Sequence, residues 1–174
     1  DAYRHVSVAG VWLHDRETLV QALTELGAGY WVVTPLRTAA GWSVLVNRGF
    51  VPSDHASAAS RGTGQVEGPV TVTGLLRVTE PGGGFLRTND PEANRWFSRD
   101  VAAIVRARGF AEAAPYFIDA DALPSPGGYP IGGLTVIAFP NNHLVYALTW
   151  FGLAGLSLVG LVQVTRPGRP AQRG

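Results

Sequence analysis

Hydrophobic and polar positions change their period several times along this chain, and each change marks an element. From Tyr3 to Leu13 apolar residues (Val6, Val8, then Val11 and Leu13) alternate with small or polar ones. A period of two predicts a half-buried strand, and Gly10 inside it predicts a bulge. His14-Asp15-Arg16-Glu17 opens the segment Thr18 to Leu26, where Leu19, Val20, Leu23 and Leu26 recur at helical spacing. A short helix stopped by Gly27 or Gly29 is expected there, with an irregular connection as the alternative. Tyr30 to Leu36 and Trp42 to Val46 are aromatic and β-branched runs joined by Arg37-Thr38-Ala39-Ala40-Gly41, the pattern of a hairpin. The second run leads into Asn47-Arg48-Gly49-Phe50-Val51-Pro52, where Arg48 is expected to be solvated or ion-paired. Ser53 to Gln65 has no period and is expected to be a surface loop, and Val70 to Val78 alternates again as a strand.

After the breaker cluster Pro81-Gly82-Gly83-Gly84, Asn89 or Asp90 is placed to cap a helix with Pro91 in its first turn. Phe97, Val101, Ile104 and Val105 supply its apolar stripe up to Gly109, and Arg95, Arg99, Arg106 and Arg108 its solvated side. Tyr116 to Asp119 and Leu134 to Phe139 close the pattern as two further strands. The fold expected is α+β: about six mostly antiparallel strands in a twisted sheet or partial barrel, with one long helix near residues 91–108.

The most pronounced run comes last. From Leu144 to Thr165 there is no formal charge, and as a helix rising about 1.5 Å per residue it reaches roughly 33 Å. A hydrocarbon core is about 30 Å thick. Tyr146, Trp150 and Phe151 ring its start, as aromatic residues do at a membrane interface. The alternative is the buried helix of a soluble core. Three segments follow: an extracytoplasmic α+β domain over 1–140, a transmembrane helix over 143–165 and a cytoplasmic basic tail over 166–174. Between Ala122 and Thr165 no Asp, Glu, Lys or Arg occurs, whereas Arg166, Arg169 and Arg173 crowd the tail. The positive-inside rule puts the tail inside and the domain outside.

Composition changes this picture in a few places. Charged residues make up 16% of the chain, below the roughly 25% of soluble domains, and the mean hydropathy is positive. A net charge of +1 leaves no footprint for nucleic acid. All the basic residues are Arg and none is Lys, a pattern of GC-rich coding that points to a bacterium. Cysteine and methionine are both absent, which excludes disulfides and soft copper sites made by the chain itself. Without an initiator Met, Asp1 is expected to follow processing, truncation or a further segment that carries an export signal or a first membrane helix.

No catalytic constellation is evident, and no turnover is expected. The histidines at 5, 14, 55 and 143 are far apart and lack metal-site spacing. His14 beside Asp15 is the nearest approach to an oriented base, and such neighbours at a strand end are ordinarily a surface turn. A phosphate loop of the G-x-x-x-x-G-K-[ST] type is impossible without lysine. His143 has a better argument. Tyr146, Ala147, Trp150 and Ala154 follow it at spacings of three, four, seven and eleven, so they share one helical face. A neutral imidazole there, with small residues below and flat rings alongside, is suited to ligate the iron of a haem. The competing reading is an interfacial histidine bonded to lipid headgroups or to Asn141 and Asn142.

Three motifs carry a resemblance. They are Asn141-Asn142-His143-Leu144-x-Tyr146-Ala147-x-Thr149-Trp150-Phe151, then Asn47-Arg48-Gly49-Phe50-Val51-Pro52, and Asn89-Asp90-Pro91 followed by Asn94-x-Trp96-Phe97 and Arg99-Asp100. On these the chain resembles the Surfeit locus protein 1 family, membrane-anchored assembly factors of haem-copper cytochrome c oxidase; Phe50 stands where that family more often has Trp. The resemblance implies a domain held outside between two membrane helices, the first of them preceding Asp1. It implies haem a as cofactor, with His143 binding the iron and Trp150 lining the same site. Cytochrome c oxidase subunit I and haem a synthase are the implied protein partners. The implied location is the bacterial inner (plasma) membrane with the domain in the periplasm, or the mitochondrial inner membrane in a eukaryote. The alternative is a membrane-anchored scaffold that grips oxidase subunits through Trp31, Trp42 and the Arg48 loop without carrying haem.

Overall fold

The computed structural model describes residues 3–84, 86–110, 112–122, 125–134 and 143–165, apart from the side chains of His143 and Val145. The chain divides into two compact units, Asp1–Val136 and Ile137–Gly174. In the first, the strands are β1 (His5–Trp12), β2 (Thr18–Thr24), β3 (Gly27–Arg37), β4 (Ser43–Pro52), β5 (Pro69–Val78), the short β6 (Gly83–Gly84) and β7 (Arg87–Thr88), and β8 (Ala113–Ala120). Six of them form one sheet in the order β1-β5-β8-β4-β3-β2. Its pairs are antiparallel except β4 with β8, which run parallel. The sheet curls until β1 also meets β3, with Val11 opposite Arg37 and Trp12 opposite Leu36, so the expected partial barrel is present.

Alternation along the central strands sorts their side chains into two cores. Val44, Val46, Leu36, Val72, Ile118 and Trp12 gather on one side of the sheet. Their neighbours Leu45, Val33, Phe117 and Val20 face the other side, where α1 (Val101–Arg108) covers them with Val101 and Ile104. Burial on both faces explains why β3 and β4 are almost continuously apolar rather than alternating.

Several expectations change. Thr18 to Leu26 forms no helix: β2 is a strand whose buried positions are Thr18 and Val20, while Leu23 is 85% and Leu26 52% exposed. The helix expected over 91–108 is only α1, starting ten residues later. Asp100 caps it by accepting from Ala103 N at 3.0 Å, and Gly109 ends it in the left-handed region. Gly10 is not a bulge, since β1 keeps its register with β5 through Gly10 opposite Val70. It is glycine because a Cβ there would lie 2.5 Å from the Arg37 carbonyl oxygen, where the barrel closes. Register shifts lie instead between Trp31 and Val33, where β3 pairs β4, and between Ser43 and Leu45, where β4 pairs β8. Of the strand expected over Leu134 to Phe139, residues 135–139 lie outside the described residues, and Leu134 belongs to no strand.

The second unit contains α2 (His143–Thr165), whose span from Tyr146 to Thr165 is long and apolar enough to cross a membrane. Every described side chain on it is exposed. Two of its hydroxyls turn back onto the helix: Ser157 donates to the Leu153 carbonyl at 2.9 Å and Thr165 to that of Leu161 at 2.8 Å, an arrangement that would leave neither bare in hydrocarbon.

Candidate functional site

The face expected to hold a haem runs along the start of α2. Tyr146 and Trp150 are 66% and 69% exposed, and Ala147 is exposed beside them. The side chain of His143 and the whole of Asn141 and Asn142 lie outside the described residues. In residue type the face fits one side of a haem. It would supply an imidazole to ligate the iron, a small residue to let a flat ring approach, and two aromatic flanks. One helix provides one wall. Among the described residues no three His, Cys, Asp or Glu side chains come together.

A second concentration of polar chemistry lies at one end of the barrel, where Asn47-Arg48-Gly49-Phe50 continues β4. Asn47 donates to Asp119 Oδ1 at 2.9 Å and accepts from Gly49 N at 3.2 Å. Gly49 has φ +131°, and a Cβ on it would stand 2.1 Å from the carbonyl oxygen of Ile131. Phe50 and Ile131 exchange both backbone hydrogen bonds at 2.9 Å. The stretch 125–134 is thereby clipped to the barrel beside the short turns that span Ser53–His55 and Ala58–Gly64. His55 lies over Tyr129 with ring centroids 4.3 Å apart.

Arg48 points into a cavity of about 220 Å³ lined by Trp12, Val66, Val70, Val72, Ser125 and Pro126. Its guanidinium carbon sits 5.0 Å from the centre of the Trp12 ring, and Nη2 donates to the Gly64 carbonyl. Burial pulls this guanidinium below its ordinary pKa, with the Glu17 carboxylate opposing and the Arg61 charge reinforcing. Glu17 itself is held by Arg61, Oε1 to Nη2 at 2.6 Å, with both side chains nearly out of solvent. The unpatterned stretch 53–65 is therefore not a plain surface loop, because Arg61 reaches from it into the protein and donates also to the carbonyls of His55 and Ala56.

A third cluster centres on Asp119, with its side chain 1% exposed. It accepts from Arg77 at 2.7 Å, Arg99 at 3.0 Å and Asn47 at 2.9 Å. Arg99 also grips Glu80 at 2.6 Å, so it is not on the solvated side of a helix as its spacing suggested. Asn89 and Asp90 cap no helix either: Asn89 Oδ1 accepts from Phe97 N and Ser98 N, and Asp90 from Ala93 N and Arg95. Together they fold 89–98 into a turn that presses Trp96 into the core. Sequence reasoning missed the Glu17–Arg61 pair and the Asp119 hub. The second had a signal, a lone carboxylate ending the apolar run Tyr116 to Asp119. Trp31 and Trp42, named for the scaffold reading, are half-buried and pack against the two cores.

The motifs at 47–52 and 89–100 thus each perform a distinct structural task, and known proteins share the sequence that carries them. The model of the SURF1 family matches residues 1–155. A SURF1-like protein of Monosiga brevicollis is 40% identical over 95% of this chain and 67% of its own length. Surfeit locus protein 1 of Homo sapiens is 39% identical over 87% of this chain and 55% of its own. The SURF1-like protein of Drosophila melanogaster is 34% identical over 87% of this chain and 55% of its own. The chain spans roughly half to two thirds of these relatives, and on both measures, the family model and the relatives, it belongs to the SURF1 family.

Proposed function

We propose that this protein is a membrane-anchored assembly factor of haem-copper cytochrome c oxidase that holds haem a during maturation of subunit I, without catalytic turnover of its own. The observation that carries the reading is the start of α2. There a histidine is followed on one face by Tyr146, Ala147 and Trp150, all exposed, on a helix fit to cross a membrane. An uncovered face of that composition at a membrane surface suits a flat, largely apolar tetrapyrrole. Membership of the SURF1 family supports the oxidase context. In this reading His143 would ligate the haem iron, Tyr146 and Trp150 would flank the ring, and Ala147 would leave room for it. The second wall comes from another membrane helix or from a partner, subunit I or haem a synthase. The domain lies outside the bacterial inner membrane, or on the outer side of the mitochondrial inner membrane, since Arg166, Arg169 and Arg173 mark the inner end.

The protein purified from cells that make haem a should carry a haem spectrum, and His143→Ala should lose most of it at unchanged protein yield. Equal haem content in the variant removes His143 as the ligand. Co-purification with subunit I that persists undiminished when haem synthesis is blocked would favour the haem-free scaffold instead.

A further inference from the structure

The chemistry around Arg48 is unfinished. Its Nη1 is buried and has no hydrogen-bond partner among the described residues, although Nη2 is bonded to Gly64. A buried guanidinium N–H without an acceptor costs about 1–3 kcal/mol or more, so its persistence calls for an acceptor. Charge gives the same answer. Arg48 and Arg61 share the field of one carboxylate, Glu17, and Arg61 already occupies both oxygens of that carboxylate. The cluster is left with an excess positive charge inside the protein. Asp1 is the only acidic side chain outside the described residues.

The cavity that Arg48 faces is otherwise mostly apolar, with the Trp12 ring and Val66, Val70, Val72 and Pro126 around it. At about 220 Å³ it holds the volume of about seven liquid waters, which suits a fragment or the end of a longer molecule. A bare inorganic anion would waste the apolar wall, and a neutral apolar ligand would leave the charge of Arg48 unanswered. We propose that this cavity is a binding site for a carboxylate carried on an apolar body, with the Arg48 guanidinium donating to the carboxylate and the Trp12 face packing on the carbon skeleton. Its walls come from β1, β4, β5, the end of the 58–64 turn and the 125–134 stretch, so an occupant would fasten those two segments to the barrel. The inference does not rest on His143 or on haem.

The test is calorimetric titration of the intact chain in detergent with hexanoate, benzoate and the uncharged hexanamide, in buffer free of other organic acids. At least one of the two carboxylates should bind saturably and about tenfold more tightly than hexanamide. Preference between them tells an acyl chain from a flat ring. Arg48→Gln should bring the carboxylate down to the level of the amide, and Val66→Trp, which fills the cavity mouth, should weaken all three. Carboxylates that bind the unmodified protein no better than hexanamide overturn the proposal, and this arm requires no variant to fold. Undiminished carboxylate affinity in folded Arg48→Gln does so equally.

Discussion

Gly49 shows how much can hang on a missing side chain. Its φ of +131° is open to glycine and strained for other residues, and the Ile131 carbonyl occupies the place a Cβ would take. Its neighbours diverge: Asn47 turns to Asp119, Arg48 to the cavity and Phe50 into the core. Gly49→Ala must therefore either flip the local backbone or push the 125–134 stretch away, and a cost of about 1–3 kcal/mol is expected. A thermal or urea unfolding midpoint measured beside the parent protein checks this; a variant within about 0.5 kcal/mol of the parent would mean that Ile131 yields freely. At this scale the sequence was informative about place and not about role. Asn47-Arg48-Gly49 stood out as a motif, yet Arg48 looked solvated because a single strand cannot reveal that Trp12 and Gly64, both remote in sequence, come to lie over it.

Elements were legible where their own residues decide them and illegible where a neighbour does. The runs that became β3, β4, β5 and β8 are apolar enough to declare themselves. In β2 and just after it the apolar residues Leu23 and Leu26 face solvent, while polar Thr18 is buried and accepts from Arg108 at 2.9 Å; two of the four residues that made the helical spacing are thus exposed. Asn89 and Asp90 have side chains that cap helices and turns alike, and tertiary docking of Trp96 chose the turn. The end of β5 and the start of α1 are then joined by Glu80 and Arg99. Burial raises the Glu80 pKa, but the Arg99 hydrogen bonds and charge outweigh it, aided by Arg77, and hold the carboxyl below its ordinary value. A depressed native pKa means that the folded state binds fewer protons than the unfolded chain. The stabilisation is fully present above about pH 4.3, the unfolded glutamate value, and is lost as pH falls through the native value. The gain is modest, since the side chain is 36% exposed. Glu80→Gln should lower the urea midpoint at pH 7 and narrow its gap to the parent as the pH approaches 3; a gap that does not change with pH would show that the ion pair contributes nothing.

At the scale of the whole molecule the two units have surfaces suited to different solvents. The first carries both buried clusters. Its exposed large apolar residues are a scattered few: Tyr3, Val11, Leu23, Leu26, Val66, Val78 and Leu86. The second exposes large apolar side chains all along its helix, from Leu144 to Val164. This contrast was the most legible feature of the chain, because a charge-free run of bilayer length needs no tertiary partner to be noticed. The face of α2 that would matter for binding was legible only as a spacing of residue types. If the barrel owes its stability to its own cores, residues 1–136 made without α2 should stay in solution without detergent, show a strand-dominated circular dichroism spectrum and unfold in one cooperative step, as small single domains do. The full chain should require detergent or lipid. Aggregation of the shortened chain, or a broad non-cooperative transition, would mean that the barrel borrows stability from what lies beyond residue 136, and the apolar patch responsible would then have to be sought among those scattered few.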